Sequence, residues 1–411
     1  MTSSSEKSAV IKYRPQLDGL RFIAVLFVLI YHYLPGFQFV GRIINLNIML
    51  TFFFVLSSFL ITKILLISKE KGTEAGYSKQ KIAFVFLMRR TLRIFPAYYF
   101  YIILLLLLPY AGQLVKDHTL SFFLYLSNFQ IYFTQDFGDL TAHLWTLAVE
   151  EQFYLAWPWL ILFVPNKNLP KVFYGLFLLG PVSRAIFYAL MDNPGLEMAT
   201  IQVLTPTCLD GFGIGGLLAY QHVNGKTSNP IYKWIFLALI PVYIYTLFSG
   251  YASFSIVFDR AFISIFAVII IENASNGYQN FFGRFLENKV VLYLAKISYG
   301  IYLYHIFAAY FFWRVMSKLT PVFNNRLGIN LYPLSDFFAH PVASFIVYLL
   351  LSIAMAALSW HFLEKPISNF KKLFMYKAPP KQITPSPEKE VTFNPEIVLA
   401  QEANQNTVPA K

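Results

Sequence analysis

The chain has 411 residues, 57% of them hydrophobic and only 13% charged; soluble domains carry about 25% charged residues, so an ordinary soluble protein is excluded. The net charge of +12 would suit a nucleic-acid partner, but the basic residues gather in loops between apolar runs, where membrane topology accounts for them. The single cysteine, Cys208, excludes an intrachain disulfide and a cysteine metal site, and reads as a small buried residue.

In chain order, Met1 to Lys12 is polar and no cleavable signal follows, because the first apolar run is full length and lacks a small-residue exit. Ten apolar runs read as spans: 17–35, 46–67, 92–110, 144–164, 172–190, 204–221, 231–249, 254–271, 291–316 and 341–361. The segment 120–134 is apolar and aromatic but short, and is expected to lie in the interface or to re-enter. With the N-terminus inside, twenty-four lysines and arginines fall on the inner side and four on the outer (Arg42, Lys116, Lys318 and Arg326). The positive-inside rule therefore predicts cytoplasmic N- and C-termini. The expected fold is an all-α polytopic transmembrane helix bundle of about ten spans. The residues from about 376 are rich in Pro, Glu, Asn and Gln and are expected to be disordered. That tail is too short, and on the wrong side, for an appended extracytoplasmic catalytic domain.

Ionisable residues inside spans are costly and point to function. On the first span, Arg21 follows Asp18 by three residues and shares its face, and His32 lies three turns further along the same stripe. The plainer alternative is an interfacial ion pair and a hydrogen-bonded core histidine. On the fourth span, helical spacing places His143, Glu150 and Tyr154 on one face and turns Glu151 elsewhere; helix–helix hydrogen bonding is the plainer role. Arg90 and Arg93 project together at the inner membrane face, with forked donors suited to phosphate, or serve as a topological anchor. Asp210 opens a glycine run, Asp210 to Gly216, whose glycines permit close helix packing. Ser298, Tyr302 and His305 share a face. Arg184, Asp259 and Arg260 are further intramembrane charges with no partner evident in the sequence. The scattered histidines give no case for a metal.

Six segments in order resemble the acyltransferase 3 family of membrane acyltransferases: Arg14 to Arg21 continuing to Tyr31-His32, Phe53 to Thr62, Arg89 to Pro96, His143 to Tyr154, Ile297 to His305, and Trp360 to Pro366. The chain departs from the family pattern at Thr51, where the family commonly has Asp, and at Ser58, where it commonly has Gly. The organisation read is a cytoplasmic segment 1–13, a transmembrane acyltransferase domain 14–367 and a cytoplasmic tail 368–411.

The resemblance implies a plasma-membrane enzyme that takes an acyl group, often acetyl, from acyl-CoA to a hydroxyl of a surface glycan or lipid-linked acceptor. An extracytoplasmic partner enzyme would then be a separate protein. His32 is the expected base or acyl carrier, with Glu150 orienting it or holding the acceptor. Arg90, Arg93 and Arg21 are the expected CoA contacts. Asp18, His143, Tyr154, Asp210 and His305 are supporting or substrate residues. The rival readings are a transporter or flippase of a glycan or lipid intermediate, which intramembrane charge also fits, and a silent scaffold.

Overall fold

A computed structural model describes residues 13–34, 46–190, 197–226, 231–249, 252–326 and 332–374. The N-terminal segment 1–12, Arg42 and the expected disordered stretch from 376 lie outside the described residues. Every regular element among the described residues is helical. Among the described residues ten helices have fifteen residues or more: α1 (Pro15–Tyr33), α2 (Leu46–Glu74), α3 (Lys79–Leu106), α4 (Leu144–Phe163), α5 (Leu169–Ala189), α6 (Leu209–Val223), α7 (Ile231–Ser249), α8 (Ala252–Asn276), α9 (Ser298–Arg326) and α10 (Pro341–Ser359). Five stretches of the described residues are long and apolar enough to cross a bilayer unaided: Pro15–Tyr33, Asn47–Glu74, Asn166–Ala189, Phe254–Asn276 and Pro341–Leu373. The bent pair Lys289–Lys296 and Ser298–Arg326 adds a sixth. Large apolar side chains such as Leu155, Leu178 and Leu350 stay exposed, as a bundle solvated by lipid requires. The molecule is a multi-pass α-helical membrane protein.

Local chemistry sets the ends of the helices. Pro15 opens α1 with a fixed φ and no N–H to strand, and Asp18 complements the positive end of the helix dipole. Ser78 caps α3 by accepting the Lys81 N–H at 3.2 Å. At 29 residues α2 runs about 43 Å, more than the ~30 Å apolar core of a bilayer. Its overhang is used: the Lys69 ammonium donates to the carbonyls of Ile161 and Val164 and to the Asn166 amide oxygen, each at 2.8 Å. One lysine thereby satisfies orphan carbonyls at the C-terminal end of α4.

The tightest packing centres on α6. A Cβ on Gly213 would stand 2.6 Å from Phe173 O and Phe177 N of α5, and one on Gly215 would stand 2.4 Å from Val55 O of α2. The glycine run read from the sequence is thus a helix pressed between two backbones.

Two elements differ from the expectations and one is resolved further. Residues 120–134 hold two helices, Thr119–Phe123 and Ser127–Thr134, each too short to cross a membrane. Tyr98 and Tyr99 of α3 pin the first of them by donating to Phe122 O at 2.8 Å and Phe123 O at 2.9 Å. The ninth run is broken at Ile297, where Lys289–Lys296 turns by 70° against α9. That short helix starts from an Asn288 side-chain cap on the Val290 N–H and packs along α1 instead of continuing α9. Past α10, a π-helical turn, Trp360–Glu364, leads into Lys365–Ser368 and Asn369–Leu373. Helical structure therefore continues beyond the expected domain edge at 367, and Phe374 O accepts from Arg89 Nη1 at 3.1 Å.

Candidate active site

A half-open cavity of about 110 Å³ lies between α1, α2, α3, α4 and α9. Arg21, Arg90 and Arg93 line it, with Glu150, Tyr154, Ser57, Thr146, Ser298 and Tyr302. α1 supplies Arg21, whose Nη1 donates to Asp18 Oδ1 at 3.2 Å. Arg90 lies over the rings of Phe86 and Tyr154, 5.6 and 5.8 Å from their centroids. The Glu150 carboxylate accepts from Ser57 Oγ at 3.1 Å and from Tyr154 Oη at 2.8 Å. A carboxylate held in this way at an apolar wall is positioned rather than mobile. Glu151 does not line the cavity, as its spacing predicted.

The histidines form a second cluster, outside the cavity lining. The His305 ring lies 5.2 Å from His32 and 5.0 Å from His143, centroid to centroid. His305 is fully buried and His143 nearly so, whereas His32 is exposed at the end of α1. His143, the residue that caps α4, shares a helical face with Glu150, but the seven-residue offset sets it about 10 Å away along the helix axis, beside Leu303 rather than in the cavity. Its Nε2 meets Leu303 O at 2.9 Å, and His305 Nδ1 meets Tyr302 O at 2.5 Å. Carbonyls only accept, so each of these ring nitrogens carries its proton and the other nitrogen keeps a lone pair. Neither His143 Nδ1 nor His305 Nε2 has a hydrogen-bond partner.

Tyr302 and Thr146 stand between the two clusters. Their hydroxyl oxygens lie 2.6 Å apart and 3.1 and 2.9 Å from His143 O, so with one proton each, one donates to that carbonyl and the other to its neighbouring hydroxyl. The structure therefore brings Arg21, Arg90, Arg93, Glu150 and Tyr154 together, and separately His32, His143 and His305. It does not join Glu150 to His32: the hydrogen-bond partners of Glu150 are Ser57 and Tyr154. Asp210 belongs to neither cluster. It accepts from Arg184 Nη2 at 2.7 Å, and Arg184 also donates to Val257 O and Thr207 O. Arg260 donates to Cys208 Sγ at 2.8 Å and to Asn47 Oδ1 at 3.4 Å, and lies over the Trp145 ring. Cys208 is buried, as expected.

Sequence reasoning passed over Ser57 and Thr146 as site residues and did not pair Arg184 with Asp210. Thr146 was detectable, lying three residues after His143 and so on its face. The Arg184–Asp210 pair links two helices and leaves no local spacing signal.

The sequence pattern of the acyltransferase 3 family, an acyltransferase domain, matches residues 14–363. With the helical bundle and a cationic cavity inside it, that match fixes the class of protein. The chain belongs to the acyltransferase 3 family. It is 30% identical over 387 residues to the O-acetyltransferase OatA of Staphylococcus aureus, covering 88% of this chain and 58% of that protein. It is 29% identical over 383 residues to the peptidoglycan O-acetyltransferase OatA of Listeria monocytogenes, covering 87% and 56%. The chain thus spans somewhat over half the length of these curated relatives. No solved structure matches it.

Proposed function

We propose that this protein is a plasma-membrane O-acyltransferase that moves an acyl group, acetyl by preference, from cytoplasmic acyl-CoA to a hydroxyl of an extracytoplasmic cell-wall glycan or lipid-linked acceptor. The observation that carries this reading is the cavity with three arginines on its wall and the histidine cluster beyond Thr146 and Tyr302. In the proposed topology the ten long helices each cross once, with both chain ends in the cytoplasm. The Arg89–Phe374 hydrogen bond supports this, since it ties the last described residues to the basic end of α3.

Arg90, Arg93 and Arg21 hold the CoA phosphates, for which guanidinium forks are suited, with Asp18 fixing Arg21. The pantetheine arm follows the cavity past Tyr154 and Glu150, whose carboxylate accepts from an amide N–H or from the incoming hydroxyl. From Arg21 to His32 the helix rises roughly 16 Å, a length an extended pantetheine arm covers. The thioester passes the Thr146–Tyr302 bond to reach His32, so that bond opens during turnover. There His32 takes the acceptor proton as general base. His143 and His305 support it, while Asp210 holds the bundle through Arg184. The family match and the O-acetyltransferase names of its relatives favour acyl transfer over transport.

The test uses sealed inside-out vesicles given radiolabelled acetyl-CoA and a glycan acceptor in the lumen. Label in luminal glycan, lost in a His32→Ala protein of normal abundance, is the expected result. Wild-type transfer by that variant removes the base assignment.

A further inference from the structure

Two imidazoles in the buried cluster present lone pairs without a donor. Main-chain carbonyls take the Nε2–H of His143 and the Nδ1–H of His305, which leaves His143 Nδ1 and His305 Nε2 as acceptors only. Two such acceptors cannot satisfy each other, and an unsatisfied buried polar atom in a folded protein calls for an explanation. The group able to supply an N–H is the third ring, His32, 5.2 Å from His305. An N–H···N hydrogen bond of about 2.9 Å between two imidazoles sets their centroids roughly 5 Å apart. The spacing is already that of a bonded pair, and what is missing is orientation. His305 is locked by burial and its carbonyl, while His32 is exposed and turns about its own side-chain torsions.

We propose that His305 is a positioning residue for the transfer reaction. Its Nε2 accepts the ring N–H of His32, fixing the His32 tautomer so that its other nitrogen offers a lone pair to the acceptor hydroxyl. This rests on the reading of His32 as general base. In the step itself the acceptor O–H proton passes to the free His32 nitrogen. The hydroxyl oxygen bonds to the thioester carbonyl carbon and the carbon–sulfur bond breaks. The departing CoA thiolate takes the proton back from His32 and leaves as the thiol. His305 forms no covalent bond, and holds the imidazolium through the second N–H while the charge exists, the role a third group plays in nucleophile–base–orienter arrangements.

The experiment compares His305→Asn with His305→Gln in reconstituted vesicles, alongside His32→Ala. Asn keeps an N–H near the Nδ1 position, for Tyr302 O, and deletes the acceptor at Nε2; Gln reaches the Nε2 position with an acceptor oxygen. The expected result is that Asn lowers kcat about tenfold or more with KM for acetyl-CoA unchanged, while Gln recovers most of the rate. A His305→Asn protein within twofold of wild-type kcat overturns the proposal, as does an equal loss in both variants at normal abundance. If the Asn variant does not insert, Gln decides: retained rate supports an acceptor at this position, and a tenfold loss in a stably inserted protein refutes it. A silent His305→Asn beside an inactive His32→Ala removes the positioning role and leaves the base. A fully active His32→Ala removes the base reading itself.

Discussion

Arg184 donates to Asp210 across 2.7 Å, and neither side chain reaches solvent. The pair joins α5 to α6 at the point where Gly180 leaves room for the carboxylate: a Cβ on Gly180 would stand 2.8 Å from Asp210 Cγ. Removing one partner from a buried ion pair strands the other charge and costs about 3–5 kcal/mol. Asp210→Ala is expected to lower the unfolding temperature in detergent sharply and to reduce membrane abundance. The Arg184→Met/Asp210→Leu double variant recovers much of that loss, because no lone charge remains. Thermal unfolding of the three proteins checks this, and a double variant no more stable than the single one argues against it.

Glu150 is held by Ser57 and Tyr154 at the cavity wall. Glu150→Gln keeps the volume and an acceptor oxygen but removes the charge. Turnover is expected to drop about 100-fold with near-normal thermal stability. Steady-state kinetics beside an unfolding curve separates a chemical role from a structural one, and an unchanged kcat assigns the residue to helix packing.

Arg90 and Arg93 line the cavity from one face of α3. A hydrogen bond to a charged group contributes about 1.5–3 kcal/mol, so losing either guanidinium should raise KM for acetyl-CoA roughly ten- to hundredfold. kcat should change far less, because the contact is made equally before and during transfer. Lysine at either position recovers only part of the affinity, since it replaces a fork with a point charge. A KM indifferent to both alanine variants would leave these arginines as topological anchors.

The lone cysteine, Cys208, is buried, so the protein offers little background to a membrane-impermeant maleimide. Exposed Lys116 and Lys167 lie on opposite sides in the proposed topology. Lys116→Cys is expected to label in intact cells and Lys167→Cys only after permeabilisation. The reverse pattern would invert the orientation, and labelling of both in intact cells would break the alternation of spans.

Much of the architecture was legible because bilayer thickness writes itself into composition. The fourth and seventh runs, 144–164 and 231–249, became Leu144–Phe163 and Ile231–Ser249 almost unchanged. The site was legible only along single helices. Three- and four-residue spacings correctly paired Arg21 with Asp18 and Glu150 with Tyr154. Depth was the weaker coordinate: His143 and Glu150 share a face, yet two turns of α4 carry one to the histidines and leave the other in the cavity. Contacts between distant elements, such as His32 with His305, leave no periodic trace. Nor does the bend at Ile297, where the short helix packs on α1 and the Ser298 hydroxyl donates back to Ala295 O.

At Gly213 and Gly215 main chain packs closely on main chain, with no room for a side chain between them. Elsewhere in the bundle a 70° elbow precedes α9, and the Tyr302 hydroxyl bridges to α4. If the thioester travels as proposed, its passage asks for give in α9 against α4, and stiffening the elbow should throttle throughput while leaving the donor's grip intact.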